Sequence, residues 1–124
     1  MLLGDFFEIS DVINAENGSI DASVKINKDH SIFNGHFPDF PIVPGVCMIQ
    51  MVKEIISSLQ QSSLMFVRGD NIKFLQFINP NMFETVTVNI LNKFNDDDSL
   101  SAVAKIYSGD TVFLKLKGVF QKSR

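Results

Sequence analysis

At 124 residues and 13.9 kDa, the chain is one domain's worth, residues 1–124, and long enough to bury a core without disulfides. Its 45% apolar and 20% charged residues exclude a disordered chain, and a net charge of −3 argues against nucleic acid as the main partner. The single cysteine, Cys47, excludes an internal disulfide and, with only two histidines, leaves too few soft ligands for a structural zinc site. Asp5 and Glu8 stand where a secretory signal would be basic and then apolar. The longest nearly apolar stretch, 41–49, is far short of the ~20 residues of a membrane helix. A soluble, cytoplasmic protein with no membrane partner is therefore expected.

Taken in chain order, residues 7–13 read as a modest strand, and Glu16-Asn17-Gly18 as a hairpin turn. Residues 19–26 alternate cleanly, with Ile20, Ala22, Val24 and Ile26 on one face, which is a half-buried strand. Residues 45–61 form the one convincing helix: Met48, Met51, Val52, Ile55, Ile56 and Leu59 recur at three- and four-residue steps. Its first half is apolar all round except for Gln50, so that end is buried. Phe74-Leu75-Gln76-Phe77 reads as a short core strand with one ring available to line a tunnel. Residues 84–94, 100–107 and 111–120 then alternate as strands separated by turns at 95–99 and 108–110. The aspartates at 96–98 lack the glycine and closing glutamate of a calcium loop and read as a solvated tip. One helix among five to seven antiparallel strands is an α+β fold with the helix against the sheet.

Chemistry concentrates between the second strand and the helix. Pro38, Pro41 and Pro44 recur every third residue and stiffen an arm that delivers the chain to Gly45. The first amides of a helix have no internal partner, and they sit at the positive end of its dipole. Gly45 and Val46 therefore offer a site for an oxygen that carries negative charge, and glycine admits a close approach. His36 on the arm either serves that site or merely caps a loop. His30, among Lys28, Asp29 and Ser31, reads as a plain surface residue, and Cys47 as a packed core thiol.

The stretch His30-Ser31-Ile32-Phe33-Asn34-Gly35-His36-Phe37-Pro38, followed by Pro41-Ile42-Val43-Pro44-Gly45-Val46, resembles the signature of the 3-hydroxyacyl-[acyl-carrier-protein] dehydratases. The resemblance runs over nearly the whole chain, without that family's N-terminal helical lead-in. It implies a hot-dog fold, one long central helix wrapped by an antiparallel sheet, with sites in tunnels where two subunits pair. It also implies an acyl thioester of acyl carrier protein or coenzyme A as substrate, and neither cofactor nor metal. A homodimer, a higher homo-oligomer or a heterodimer would be the assembly. His36 falls on the family's catalytic base, and Gly45 and Val46 on the amides that hold the thioester carbonyl. The family's catalytic acid, supplied by the partner subunit, is replaced by Gln50. An amide cannot supply a proton, so Gln50 would hold the hydroxyl or a water instead. Glu54, one turn further on the same helix face, is the acid that could substitute through water. Only Lys73 and Arg68 remain of the basic residues that would meet a carrier protein near Phe74. Three functions follow: a dehydratase with an altered acid, a hot-dog thioesterase in which Gln50 positions water, or a non-catalytic thioester-binding subunit that pairs with an acid-bearing paralogue.

Overall fold

The computed structural model describes residues 1–34 and 41–123. Strands β1 (Phe7–Asn14) and β2 (Ile20–Ile26) form the expected hairpin, and Asn17 (φ 60°) and Gly18 (φ 79°) turn the chain between them. Helix α1 (Gly45–Gln60) follows, then β3 (Leu64–Phe74), β4 (Thr85–Phe94), β5 (Leu100–Ser108) and β6 (Thr111–Lys122). The six strands make one antiparallel sheet in the order β1-β2-β4-β5-β6-β3.

The alternation read from the sequence is the alternation of burial. Ala22 and Val24 of β2 pair with Val88 and Val86 of β4, and all four are buried. Ala102, Ala104 and Ile106 of β5 and Leu114 and Leu116 of β6 extend that face. Met48, Met51, Val52, Ile55 and Ile56 of α1 complete the same core, each aliphatic side chain worth roughly 1.5–3 kcal/mol. The helix stops at Gln61, which turns into the left-handed region (φ 52°) so that Ser62 N–H bonds back to the Ser57 carbonyl. No helix among the described residues is long and apolar enough to cross a membrane.

One sequence expectation needs correction, and one strand is not read from the sequence at all. Phe74-Leu75-Gln76-Phe77 is not a core strand: β3 ends at Phe74, and Phe77 is 70% exposed. The chain leaves the sheet there, held by Leu75 N–H to the Phe113 carbonyl, and Ile78 is the residue that enters the core. The strand over Leu64–Phe74 carries no clean alternation because it is an edge with register shifts at Phe66/Arg68 and at Gly69/Asn71. Gly69-Asp70-Asn71 has turn composition, yet the strand runs through it.

Gly69 and Gly118 lie directly opposite each other, with the Phe66 ring against both. A Cβ on Gly118 would lie 2.7 Å from the Arg68 carbonyl oxygen, a backbone atom that cannot yield cheaply. Gly118→Ala should therefore lower stability by about 1–3 kcal/mol, read as a fall in the urea midpoint. An unchanged midpoint would show that the β3–β6 pairing is looser than this geometry.

Candidate active site

Pro44 precedes the helix in extended conformation (ψ 144°), and the arm before it is tied down by Val43 N–H to the Ile78 carbonyl at 2.9 Å. The Pro44 carbonyl accepts from Cys47 and Met48 N–H, which starts the helical ladder. The amides of Gly45 and Val46 come before that ladder and make no hydrogen bond among the described residues. The Phe74 ring covers Gly45 so closely that a Cβ there would sit 3.0 Å from two ring carbons. Only glycine fits without moving the ring. Beside this helix start opens a cavity of about 470 Å³, lined by residues 42–45, Met48 and residues 74–77. Its walls are largely apolar, and Phe74 and Phe77 furnish rings that the folded sheet leaves uncovered.

Gln50 is half-buried and engaged. Its Nε2 donates to Glu54 Oε2 at 2.7 Å. Glu54 is only 5% exposed, and its carboxylate also accepts from Leu2 N–H at 2.9 and 3.0 Å and from Leu3 N–H at 2.8 Å. Burial pushes the Glu54 pKa up, but the Leu2 and Leu3 amides and the Gln50 side chain all bond the ionised form. Together they hold it below its ordinary value. Glu54 is therefore a fixed carboxylate, not the substitute acid its spacing suggested. Bonding through Nε2 leaves the Oε1 of Gln50 as the face available to another group. The helix places Gln50 five residues after Gly45, roughly 140° around the axis and ~7.5 Å along it. Gln50 is accordingly absent from the cavity that its own Gly45 lines.

The remaining candidates separate. His36 lies outside the described residues, as does the arm from 35 to 40. Cys47 is buried, and desolvation raises its pKa, which suits an inert core thiol. His30 is not a plain surface residue. Its Nδ1 accepts from Ile32 N–H at 3.0 Å, its Nε2 reaches Asp5 Oδ2 at 2.9 Å, and Phe6 packs edge-on to its ring. It fastens the loop before the proline arm to the segment before β1. Arg68 is taken up by Asp70 at 2.7 Å. Reading the sequence missed the anchoring role of Glu54; the signal was a lone acid flanked by Met51, Val52, Ile55 and Ile56.

A single helix against a six-stranded antiparallel sheet, with an apolar cavity beside the helix start, defines a hot-dog domain. The sequence profile of the ApeI-like family, described as ApeI dehydratase, matches residues 12–108, and the chain belongs to that family. A 3-hydroxyacyl-[acyl-carrier-protein] dehydratase of Bacillus cereus is 29% identical over 83 residues, which are 60% of this chain and 58% of that protein. The match thus spans a little over half of that relative's length. The dehydratase heterocomplex ApeI:P of Xenorhabdus doucetiae contains a chain that superposes with TM-score 0.66 at 18% identity, covering 92% of this chain and 96% of that one. A Bacillus halodurans protein solved with CoA superposes with TM-score 0.59 at 12% identity, covering 92% and 74% respectively. At those identities the structures speak to the fold.

Because the folded-state pKa of Glu54 lies below its unfolded value, its contribution is fully present at neutral pH and fades as pH falls through the folded value. Glu54→Gln would face the amides of Leu2 and Leu3 and the Gln50 donor with at most one acceptor oxygen. It should cost about 2 kcal/mol at pH 7. That difference from the parent should shrink in acid, below the ordinary carboxylate range. A deficit that stays constant down to strong acid would mean that Glu54 is not held as the carboxylate.

Proposed function

We propose that the chain is a cytoplasmic hydro-lyase that dehydrates 3-hydroxyacyl thioesters of acyl carrier protein or coenzyme A in fatty-acid or related acyl-chain synthesis. One observation carries the reading: the amides of Gly45 and Val46 make no hydrogen bond among the described residues, and Gly45 lines an apolar cavity of about 470 Å³. The thioester oxygen takes up enolate charge when C2 loses its proton, and two amides at a helix N-terminus stabilise that charge. The acyl chain packs against Met48, Phe74 and Phe77. His36, nine residues before Gly45 on the proline arm, removes the C2 proton as the neutral imidazole. The resulting imidazolium returns that proton to the departing C3 hydroxyl, so water and the enoyl thioester are the products. The Oε1 of Gln50, turned outward by Glu54, accepts a hydrogen bond from the C3 hydroxyl and orients it.

The angular separation of Gln50 from Gly45 supports a site built by two copies, each lending Gln50 to the other. Exposed apolar side chains at the helix start and on edge strand β3, including Val46, Met65 and Val67, suit such a homodimer or a higher homo-oligomer. A second reading is favoured by the state of Glu54. With that carboxylate ionised and fully engaged, α1 supplies no acid, and a paralogue bearing Asp or Glu at the position of Gln50 would complete the chemistry in a heterodimer.

The test is conversion of a 3-hydroxyacyl-coenzyme A to the enoyl thioester by the purified chain, followed in both directions. Measurable turnover that His36→Ala abolishes without loss of folding supports the reading; release of free thiol instead would establish a thioesterase. Gln50→Glu places a second carboxyl beside ionised Glu54, so the pair shares a proton and the new group stays protonated near neutrality. Turnover should rise about tenfold or more. A folded Gln50→Glu protein as silent as a silent parent would assign the chain to the heterodimeric, non-catalytic role.

A further inference from the structure

The outer face of the sheet carries a feature that the proposed reaction does not use. Register sets Lys105 of β5 directly opposite Lys115 of β6, and Lys115 directly opposite Lys73 of β3. Lys117 stands two residues along β6 from Lys115, on the same face. Like charges placed directly opposite one another destabilise a sheet. None of the four lysines enters an ion pair among the described residues. The acid in the same cross-strand row, Asp21, accepts instead from Asn89 at 2.8 Å. Glu16, at the rim, forms no ion pair with them either. Four of the eleven basic side chains thus gather in one place on a chain whose net charge is −3.

The lysines border an open depression of about 480 Å³ that also holds Leu91 and Val103. These two are paired across β4 and β5, both are about half exposed, and Val103 in turn faces Lys117. A phosphate or other small anion would use the lysines and gain nothing from Leu91 and Val103. Exposed apolar side chains flanked by a row of charged ones suit the docking of a protein that is apolar along one edge and acidic beside it. Adjacent strands lie ~4.8 Å apart, and side chains at i and i+4 of a helix ~5–6 Å apart. A helix laid across β5, β6 and β3 can therefore set one carboxylate against each of Lys105, Lys115 and Lys73. We propose that this face docks an acidic, amphipathic helix of a partner protein, with the partner's apolar edge on Leu91 and Val103.

The experiment titrates the full chain with an amphipathic helical peptide bearing glutamates on one face and leucines along its edge. Binding is expected at low salt and should weaken as salt rises. Lys115→Glu/Lys117→Glu should weaken it at least about tenfold. Lys115→Gln removes both like-charge contacts, so it should weaken binding while leaving the thermal midpoint equal or higher. Val103→Ser should weaken binding without altering its salt dependence. No binding at low salt, or affinity unchanged in the lysine variants, overturns the proposal. So does a clear drop in midpoint for Lys115→Gln, which would make the row a structural device. Binding of inorganic phosphate at this face without the peptide would reassign it to small anions. Salt-sensitive self-association abolished by Asp97→Asn would reassign it to a second copy of the chain.

Discussion

A single buried carboxylate ties the N-terminal segment of this molecule to its one helix. Glu54 lies on the core side of α1, where an unpaired charge would be ruinous, and it is tolerated because the Leu2 and Leu3 amides and the Gln50 side chain all point donors at it. Those bonds do three things at once. They pin the segment before β1 to the helix, they keep the carboxyl ionised, and they fix which end of the Gln50 amide faces outward. Placing amide and carboxylate at i and i+4 makes the contact local, so the orientation of Gln50 is set by the helix itself.

The second constraint is the crowding at Gly45. The Phe74 ring lies where a side chain would be, so the helix start stays open at its amides and closed on one side by apolar surface. Edge strand β3 delivers that ring, and the chain then leaves the sheet at once, which exposes Leu75 and Phe77 to the cavity rather than to the core. Helix dipole, free amides and apolar wall thus converge on a few residues from two elements. Donor amides and apolar surface thus come from the same place, and Gln50 lies on another side of the helix, outside that cavity.

Much of this was legible in the sequence. The period-two pattern of β2, β4, β5 and β6 and the helical period of α1 are strong because each element has one face in the core, and burial enforces the pattern. β3 was not legible. Only Leu64 of that edge strand is buried, and two bulges break its alternation. The Phe-rich run misled for the opposite reason: its rings are apolar because they face a cavity, and hydropathy does not distinguish a cavity wall from a core. In the site, the free amides followed from Pro44-Gly45 alone. For Glu54 the apolar neighbours signal burial but not the partners, because Leu2 and Leu3 lie about fifty residues away and contribute only backbone, which side-chain pattern does not reveal.

The central claim is that Glu54 is a fixed anion and Gln50 its oriented neighbour, so that α1 presents an amide oxygen and no acidic proton. Carbon-13 NMR of the Glu54 side-chain carboxyl across a pH titration tests this directly. The account predicts a single titration below the ordinary carboxylate range, with the Gln50 side-chain amide resonances shifting in the same step. A Glu54 carboxyl that titrates near neutrality would contradict it, because the helix would then carry a general acid after all.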